Sequence, residues 1–504
     1  MKNIILTTLN SRYTHTSIAL RYLFANLNEL QDSSKILEFS INDSIQNIAE
    51  DILSHNPKII GIGVYIWNAL EVAHLLHILK KVSPQTKIIL GGPEVSHEPF
   101  RVDFTLADHI IQGEGDIAFY RLCQDILAAK ASERVIKMSL PSLKELKLPY
   151  RYYSDEDIKN RYIYVEASRG CPFECEFCLS SMDERVRAFD IDVLLGEFEL
   201  LWARGARNFK FIDRTFNLNI KTANKILDFF LAKDEPYFVH FEVVPDHFPQ
   251  SLKDKIALFS DGALQFEIGI QTLNSKIAQN ISRPLNFEKI KQNIEFLTQK
   301  TGVHIHLDLI VGLPEEDLES FGKNLDELVK LSDAEIQIGI LKKLSGTYIN
   351  RHDIEHEMVY SDIPPYDVLK TSKLSFADVQ IMKRFSRYWD LFYNSSNFYS
   401  SIRLLWLDGS VYKNFYDFSL WLYDKSNQTH KISLDRQMRF LFEYLVDVKK
   451  LSKDIVAKSI LDDTQKLKGR VVPNFLKEFV KDEQIKTKLG TSGFNKRQLN
   501  SSSS

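Results

Sequence analysis

A chain of 504 residues is longer than one ordinary domain, and usual domain sizes point to about three. With 44% hydrophobic and 26% charged residues it has a globular composition, and a net charge of -3 argues against a polyanion binder. No apolar run approaches the ~20 residues that cross a bilayer, and the start Met1 to Thr8 is too short in apolar residues for a signal peptide; a cytoplasmic protein without a membrane partner is expected.

In chain order, residues 1–130 alternate short apolar runs with amphipathic ones. The pattern predicts strands near 3–9, 36–39, 58–65, 87–92 and 109–112, with helices near 16–30, 44–54 and 68–82 between them. Strands of this kind form a parallel sheet covered on both faces, a doubly wound Rossmann-like α/β domain whose ligands lie beyond the carboxyl ends of the strands. Residues 131–161 carry Pro141 and Pro149 and read as a linker. A second alternating series follows over 162–345, with strands expected at 162–167, 208–213, 237–243, 264–270, 303–310 and 334–341. Six strand–helix units suit a partial TIM-like barrel, with its site again at the strand carboxyl ends.

After Pro364 the alternation stops, and residues 346–500 read as a mostly helical carboxyl-terminal domain. Fourteen aromatics fall within the thirty-nine positions 385–423, against 12% for the whole chain. They could wall the open side of the barrel, but a helical core accounts for most of them. Between Lys449 and Arg497 thirteen Lys/Arg face six Asp/Glu. With no recognition motif there, a solvated helical surface is the simpler reading, and no nucleic-acid partner is expected. The Ser-rich end, 500–504, is expected to be disordered.

Only four cysteines occur, and three of them lie in Arg169-Gly170-Cys171-Pro172-Phe173-Glu174-Cys175-Glu176-Phe177-Cys178. A disulfide framework would spread them more widely, so clustered thiols in a reducing compartment point to metal. A structural zinc takes four ligands, whereas the remaining cysteine, Cys123, lies far away in another expected domain and no histidine is close in sequence. Three thiolates can instead hold three irons of a 4Fe-4S cube and leave the fourth iron open. An open iron can chelate S-adenosylmethionine through its amino and carboxylate groups.

This CxxxCxxC loop, with Phe177 before its last cysteine, resembles the radical S-adenosylmethionine (radical SAM) superfamily over residues 162–345. The resemblance implies reductive cleavage of S-adenosylmethionine to a 5′-deoxyadenosyl radical, with Cys171, Cys175 and Cys178 as metal ligands and a flavodoxin- or ferredoxin-like electron donor as partner. It further implies that Asp213, in Phe211-Ile212-Asp213-Arg214-Thr215-Phe216-Asn217 where many relatives have Gly-Gly-Glu, contacts the methionine amino group. Glu267 and Gln271 would meet the ribose or carboxylate, and Arg283 would pair with the carboxylate. The segment Asp308 to Pro314 would pack against adenine. Alone, Asp213 or Glu267 could merely cap a helix; their shared place at strand ends singles them out.

Three loops end strands of the first domain: Val64-Tyr65-Ile66-Trp67-Asn68, Gly91-Gly92-Pro93-Glu94 and Gly113-Glu114-Gly115. Together they resemble the cobalamin-binding domain fused to many radical SAM enzymes, which assigns Val64, Tyr65, Trp67, Gly91, Gly92, Glu94, Gly113, Glu114 and Gly115 to cobalamin. The Asp-x-His-x-x-Gly signature of one cobalamin class is absent, and His15 does not fit it. No histidine–cobalt bond is therefore expected, with Tyr65 or Trp67 near the lower face. The whole chain is similar to cobalamin-domain radical SAM proteins that carry a carboxyl-terminal domain of unknown function. That resemblance implies radical chemistry, with methyl transfer to an unactivated carbon as the leading outcome. A non-methylating role for cobalamin, or a non-catalytic cobalamin- or metal-binding regulator, stays open.

Overall fold

The structure is a computed structural model that describes residues 2–183, 185–466 and 470–479. Its first sheet is built from β1 Ile4–Asn10, β2 Ser34–Ser40, β3 Ile59–Gly63, β4 Lys87–Gly91, β5 His109–Gln112 and β6 Val135–Lys137, in the order β2-β1-β3-β4-β5-β6. Every neighbouring pair is parallel, and helices α1 Ile18–Ala25, α2 Ile45–Ser54, α3 Ala69–Val82 and α4 Asp116–Leu127 connect and cover the strands. Ile4, Ile5, Leu6, Ile59 and Ile60 are wholly buried, as an apolar strand covered on both faces must be. Strand order reverses between β1 and β3, and a crevice opens at such a switch point.

α1 stops at Ala25, short of the helix expected to reach residue 30. Asn28 has φ 49°, a left-handed conformation that Asn tolerates and a helix does not, and residues 28–33 form a separate tight turn. The stretch read as a linker is packed rather than loose. It supplies β6 and a short helix α5 Asp155–Asn160, and it buries Tyr150 and Tyr153, whose hydroxyls donate to the carbonyls of Glu166 (3.1 Å) and Tyr164 (2.7 Å).

The second sheet begins with β7 Ile163–Val165, followed by a small antiparallel clip of β8 Ser168–Arg169 and β9 Arg187–Ala188. β10 Asn208–Phe211, β11 Phe238–Val243, β12 Leu264–Gln271, β13 His304–Val311 and β14 Glu335–Ile340 complete it in the order β14-β13-β12-β11-β10-β7, all parallel. This is the expected partial barrel. The period of two divides each strand: Val239, Phe241, Ile268, Leu307 and Leu309 are buried in its packed core, while His240, Glu242, Glu267, His306 and Asp308 share the other face.

The barrel strands alternate with α6 Ile191–Ala203, α7 Ile220–Leu231, α8 Gln250–Ile256, α9 Ser275–Asn280, α10 Phe287–Lys300 and α11 Leu318–Leu331, and beyond the barrel lie α12 Phe376–Trp389, α13 Val411–Ser426, α14 Leu434–Glu443 and α15 Lys453–Gln465. Phe385, Trp389, Phe392, Phe415 and Phe418 are fully buried and continuous with the barrel core, so the aromatic segment packs the helices rather than walling a cavity. No helix among the described residues is long and apolar enough to cross a membrane. The basic tail beyond residue 479 and the whole Ser-rich end lie outside the described residues.

Candidate active site

The three cysteines sit on the loop between β8 and β9, at the carboxyl end of β7. Gly170 opens this loop with φ 89°, and a Cβ there would collide with the backbone carbonyls of Arg185 and Asp183, so the position demands glycine. The loop is held by backbone bonds: Cys171 N–H donates to Asp183 (3.0 Å), Cys178 N–H to Cys175 (3.0 Å) and Glu176 N–H to Ile281 (3.2 Å). Glu176 is itself buried. Ser282 Oγ donates to its carboxylate at 2.6 Å, His352 Nε2 lies 2.8 Å away, and Arg351 pairs with it. The loop is thus pinned from α9 and from the segment after the barrel.

A cavity of about 270 Å³ opens above the loop, lined by Cys171, Cys175 and Cys178 and by residues at the carboxyl ends of β10 to β13. Glu267, Gln271 and Arg283 line it, and so do Arg214, Glu242 and Asp308. Arg283 Nη1 lies 3.1 Å from Cys175 Sγ, which sets a fixed cation against that sulfur. Arg214 donates to both oxygens of Glu242 at 2.6 and 2.9 Å. Burial opposes the charge on Glu267, but His240, 2.9 Å away, outweighs it and holds the carboxyl down to about 2. Burial, then the neighbouring Glu267 and Glu242, push Asp308 well above the usual carboxylate range. The cavity therefore sets the ionised carboxylate of Glu267 near the neutral, proton-bearing acid of Asp308.

Asp213 does not line this cavity. It is buried behind the loop, where its carboxylate accepts from Ala167 N–H at 2.9 Å and Ser168 Oγ at 2.6 Å. Burial pushes it up to about 7. The short strand end leaves it facing the backbone that leads into the clip rather than the open mouth.

A second cavity, about 300 Å³ and mostly apolar, lies at the carboxyl ends of β3, β4 and β5. Tyr65, Gly91, Gly92, Gly113, Glu114 and Gly115 line it, together with Gly61 and Gly63. A Cβ on Gly113 (φ 81°) would meet nothing within 4 Å, so this glycine keeps room open to a ligand. Val64, Trp67 and Glu94 do not line it. The Val64 side chain is buried in the core, and Trp67 stacks on the far side of Tyr65 with centroids 4.5 Å apart. Glu94 is buried and bonds Tyr366 Oη, because a carboxylate taken out of water needs a donor. His15 Nδ1 meets Tyr164 Oη at 2.7 Å, and Cys123 is buried in the first core.

The far wall of this second cavity comes from the barrel: Glu166, Arg169 and Ile212. Arg169 pairs with Glu114 (3.0 Å), Asp116 (2.9 Å) and Glu166 (2.9 Å), and Arg187 joins Glu114 and Asp183. Sequence reading missed Arg169, Glu166, Arg214, Glu242 and Glu176. Charged residues ending or flanking apolar strands were the signal for Glu166 and Glu242, but nothing local told which partner each would find.

The residues present suit the groups the sequence implies. Three thiol donors on one loop suit a 4Fe-4S cluster with an open iron, and the Glu267, Gln271 and Arg283 set suits the polar parts of S-adenosylmethionine. A glycine-lined, largely apolar cavity suits the broad face of cobalamin.

Comparison with known proteins agrees with this division. Residues 4–123 match the model of the B12 binding domain, residues 165–328 that of the Radical SAM superfamily, and residues 354–502 that of a protein of unknown function, DUF4080. An uncharacterized methyltransferase of Pyrococcus horikoshii is 23% identical over 412 residues, covering 75% of this chain and 88% of that protein. The cobalamin-dependent radical SAM methyltransferase TokK of Streptomyces tokunonensis is 22% identical over 59% of this chain, which spans about half (49%) of TokK. The structure of the radical SAM methyltransferase TsrM from Kitasatospora setae, with cobalamin and a [4Fe-4S] cluster bound, aligns with TM-score 0.57 at 15% identity, over 69% of this chain and 74% of that one.

Proposed function

We propose that this chain, a cobalamin-binding radical SAM enzyme with a DUF4080 carboxyl-terminal domain, transfers a methyl group to an unactivated carbon of its substrate. One observation carries the reading: Arg169, two residues before Cys171, forms part of the wall of the glycine-lined cavity, so the two cofactor sites share a boundary. When bound, the 4Fe-4S cluster, S-adenosylmethionine and cobalamin supply a 5′-deoxyadenosyl radical and a transferable methyl group.

The chain's own residues then hold and orient these groups. Cys171, Cys175 and Cys178 ligate the cluster, and the Glu176 network fixes their loop. Arg283 and Gln271 take the carboxylate and ribose of S-adenosylmethionine, with ionised Glu267 accepting from a hydroxyl or the amino group. Asp308, kept neutral, donates a proton or hydrogen bond into the same cavity. Tyr65, backed by Trp67, faces cobalamin, and Gly91, Gly92, Gly113 and Gly115 let backbone approach it. A cytoplasmic location with a flavodoxin- or ferredoxin-like donor supplies the electrons.

Anaerobic reconstitution with iron, sulfide and cobalamin, then reduction in the presence of methyl-deuterated S-adenosylmethionine, tests this reading. The expected result is 5′-deoxyadenosine from wild type and none from Cys175→Ala. Extracts of a deletion strain then serve as the substrate source, and one metabolite should gain the deuterated methyl. Intact S-adenosylmethionine after reduction overturns the radical assignment, and turnover without label transfer overturns the methyl transfer.

A further inference from the structure

At the opposite, amino-terminal end of the barrel, β13 opens with His304 and β14 opens with Glu335. Register pairs His306 with Glu335, and the strand period of two puts His304 on the same face as His306. One ligand atom from each of His304, His306 and Glu335 lies within 4.8 Å of the other two. His304 Nε2 is 3.0 Å from one carboxylate oxygen of Glu335, and His306 Nε2 is 3.5 Å from the other. Ligands about 2.0–2.2 Å from a tetrahedral ion stand roughly 3.3–3.5 Å from one another, so the two histidine–carboxylate contacts lie close to metal-ligand spacing.

Two further observations distinguish this trio from an ordinary polar plug. His306 Nε2, the nitrogen that faces Glu335 at 3.5 Å, is buried and makes no hydrogen bond among the described residues, a costly state for an imidazole nitrogen unless something else takes its lone pair or proton. The other nitrogen of His306, Nδ1, is oriented by the side-chain amides of Gln337 (2.8 Å) and Gln265 (3.3 Å). Either amide, turned to present its carbonyl oxygen, takes the Nδ1 proton and leaves the Nε2 lone pair for a metal, as outer partners of histidine ligands do. A cavity of about 490 Å³ at this end has His304 on its wall and supplies a way in.

We propose that His304, His306 and Glu335 bind one divalent transition-metal ion of the zinc class, separate from the cysteine loop. Two imidazoles and one carboxylate suit a borderline cation and leave a fourth position for water from the cavity. The ion ties the start of β13 to that of β14, the last strand of the sheet.

The test uses full-length, cluster-reconstituted protein, stripped with a chelating resin and dialysed against zinc. Wild type should retain about one zinc per chain beyond its iron. His306→Ala and the milder Glu335→Gln should each lose it while keeping their iron content, which also reports that they folded. A variant lacking all three loop cysteines should keep its zinc. Cobalt in place of zinc should give ligand-field absorption without a thiolate-to-metal charge-transfer band. Equal zinc in wild type and both site variants overturns the proposal, as does zinc that disappears with the cysteines.

Discussion

Asp213 shows how a single residue can sit beside a site without belonging to its surface. Its carboxyl, raised to about 7 from an ordinary 3.8, is protonated in the folded protein well after it ionises in the unfolded chain. Between those values the unfolded state binds fewer protons, so stability falls as pH rises, by up to about 4 kcal/mol once pH passes the folded value. Asp213→Asn keeps the acceptor for Ala167 N–H and lets Ser168 Oγ reverse its role. Urea unfolding from pH 4 to 8 should therefore show a flatter pH dependence in this variant, its advantage over wild type growing toward pH 8. A parallel pair of profiles would rule the account out. Glu267 behaves oppositely: held down to about 2, it stays ionised throughout that range.

Among the elements, the edge strand β14 and the Gly91-Gly92 loop depend on contacts distant in sequence. Asn394, in the wide turn after α12, accepts from Ile336 N–H and donates to Ile336 C=O, both at 2.9 Å, and Ser386 Oγ bonds Ile338 C=O at 2.6 Å. These bonds cover an edge that would otherwise recruit another strand. Asn394→Ala orphans both backbone groups at about 1–3 kcal/mol each, so amide exchange in β14 should speed while the first sheet is unchanged. In the Gly91-Gly92 loop, Gly92 has φ 109°, and a Cβ there would stand 2.5 Å from the Val64 carbonyl oxygen. Gly92→Ala should add at least about 1–3 kcal/mol of strain and weaken cobalamin retention on gel filtration at least roughly tenfold, with iron content intact. Unaltered retention would remove this loop from the cobalamin site.

For the whole molecule, the decisive contact is the charge network where the two sheets meet. Arg169 is 14% exposed, and its partner Glu166 only 5%. Arg169→Met would leave Glu166 and Asp116 buried without their cation, at a cost of about 3–5 kcal/mol, visible as an earlier first transition in urea. Glu114→Gln should cost much less, since Arg169 keeps two other carboxylates. The double variant Arg169→Met, Glu166→Gln should recover part of the loss, because one stranded charge is gone. Lack of recovery would mean that the packing of Arg169 over Tyr22, 4.7 Å away, matters more than its charge.

The sequence by itself determined the doubly wound sheet, the six-unit partial barrel, the helical end and the cysteine loop, because each rests on local signals: apolar periodicity, glycine at strand ends and ligand spacing. The strands at 163–165, 238–243 and 304–311 lie close to where periodicity put them. Only the tertiary structure decided which polar side chains face which cavity. Glu94, in a loop that reads as cofactor-binding, turns instead to Tyr366, and Asp213 turns to backbone, since a buried carboxylate goes to whatever donor the fold brings near. The same holds for the stretch 131–161, for Arg169 at the shared wall and for the His304, His306 and Glu335 trio. Beside near neighbours such as Glu166 for Arg169, each has partners sixteen to more than fifty residues away, and no periodicity along the chain encodes that distance.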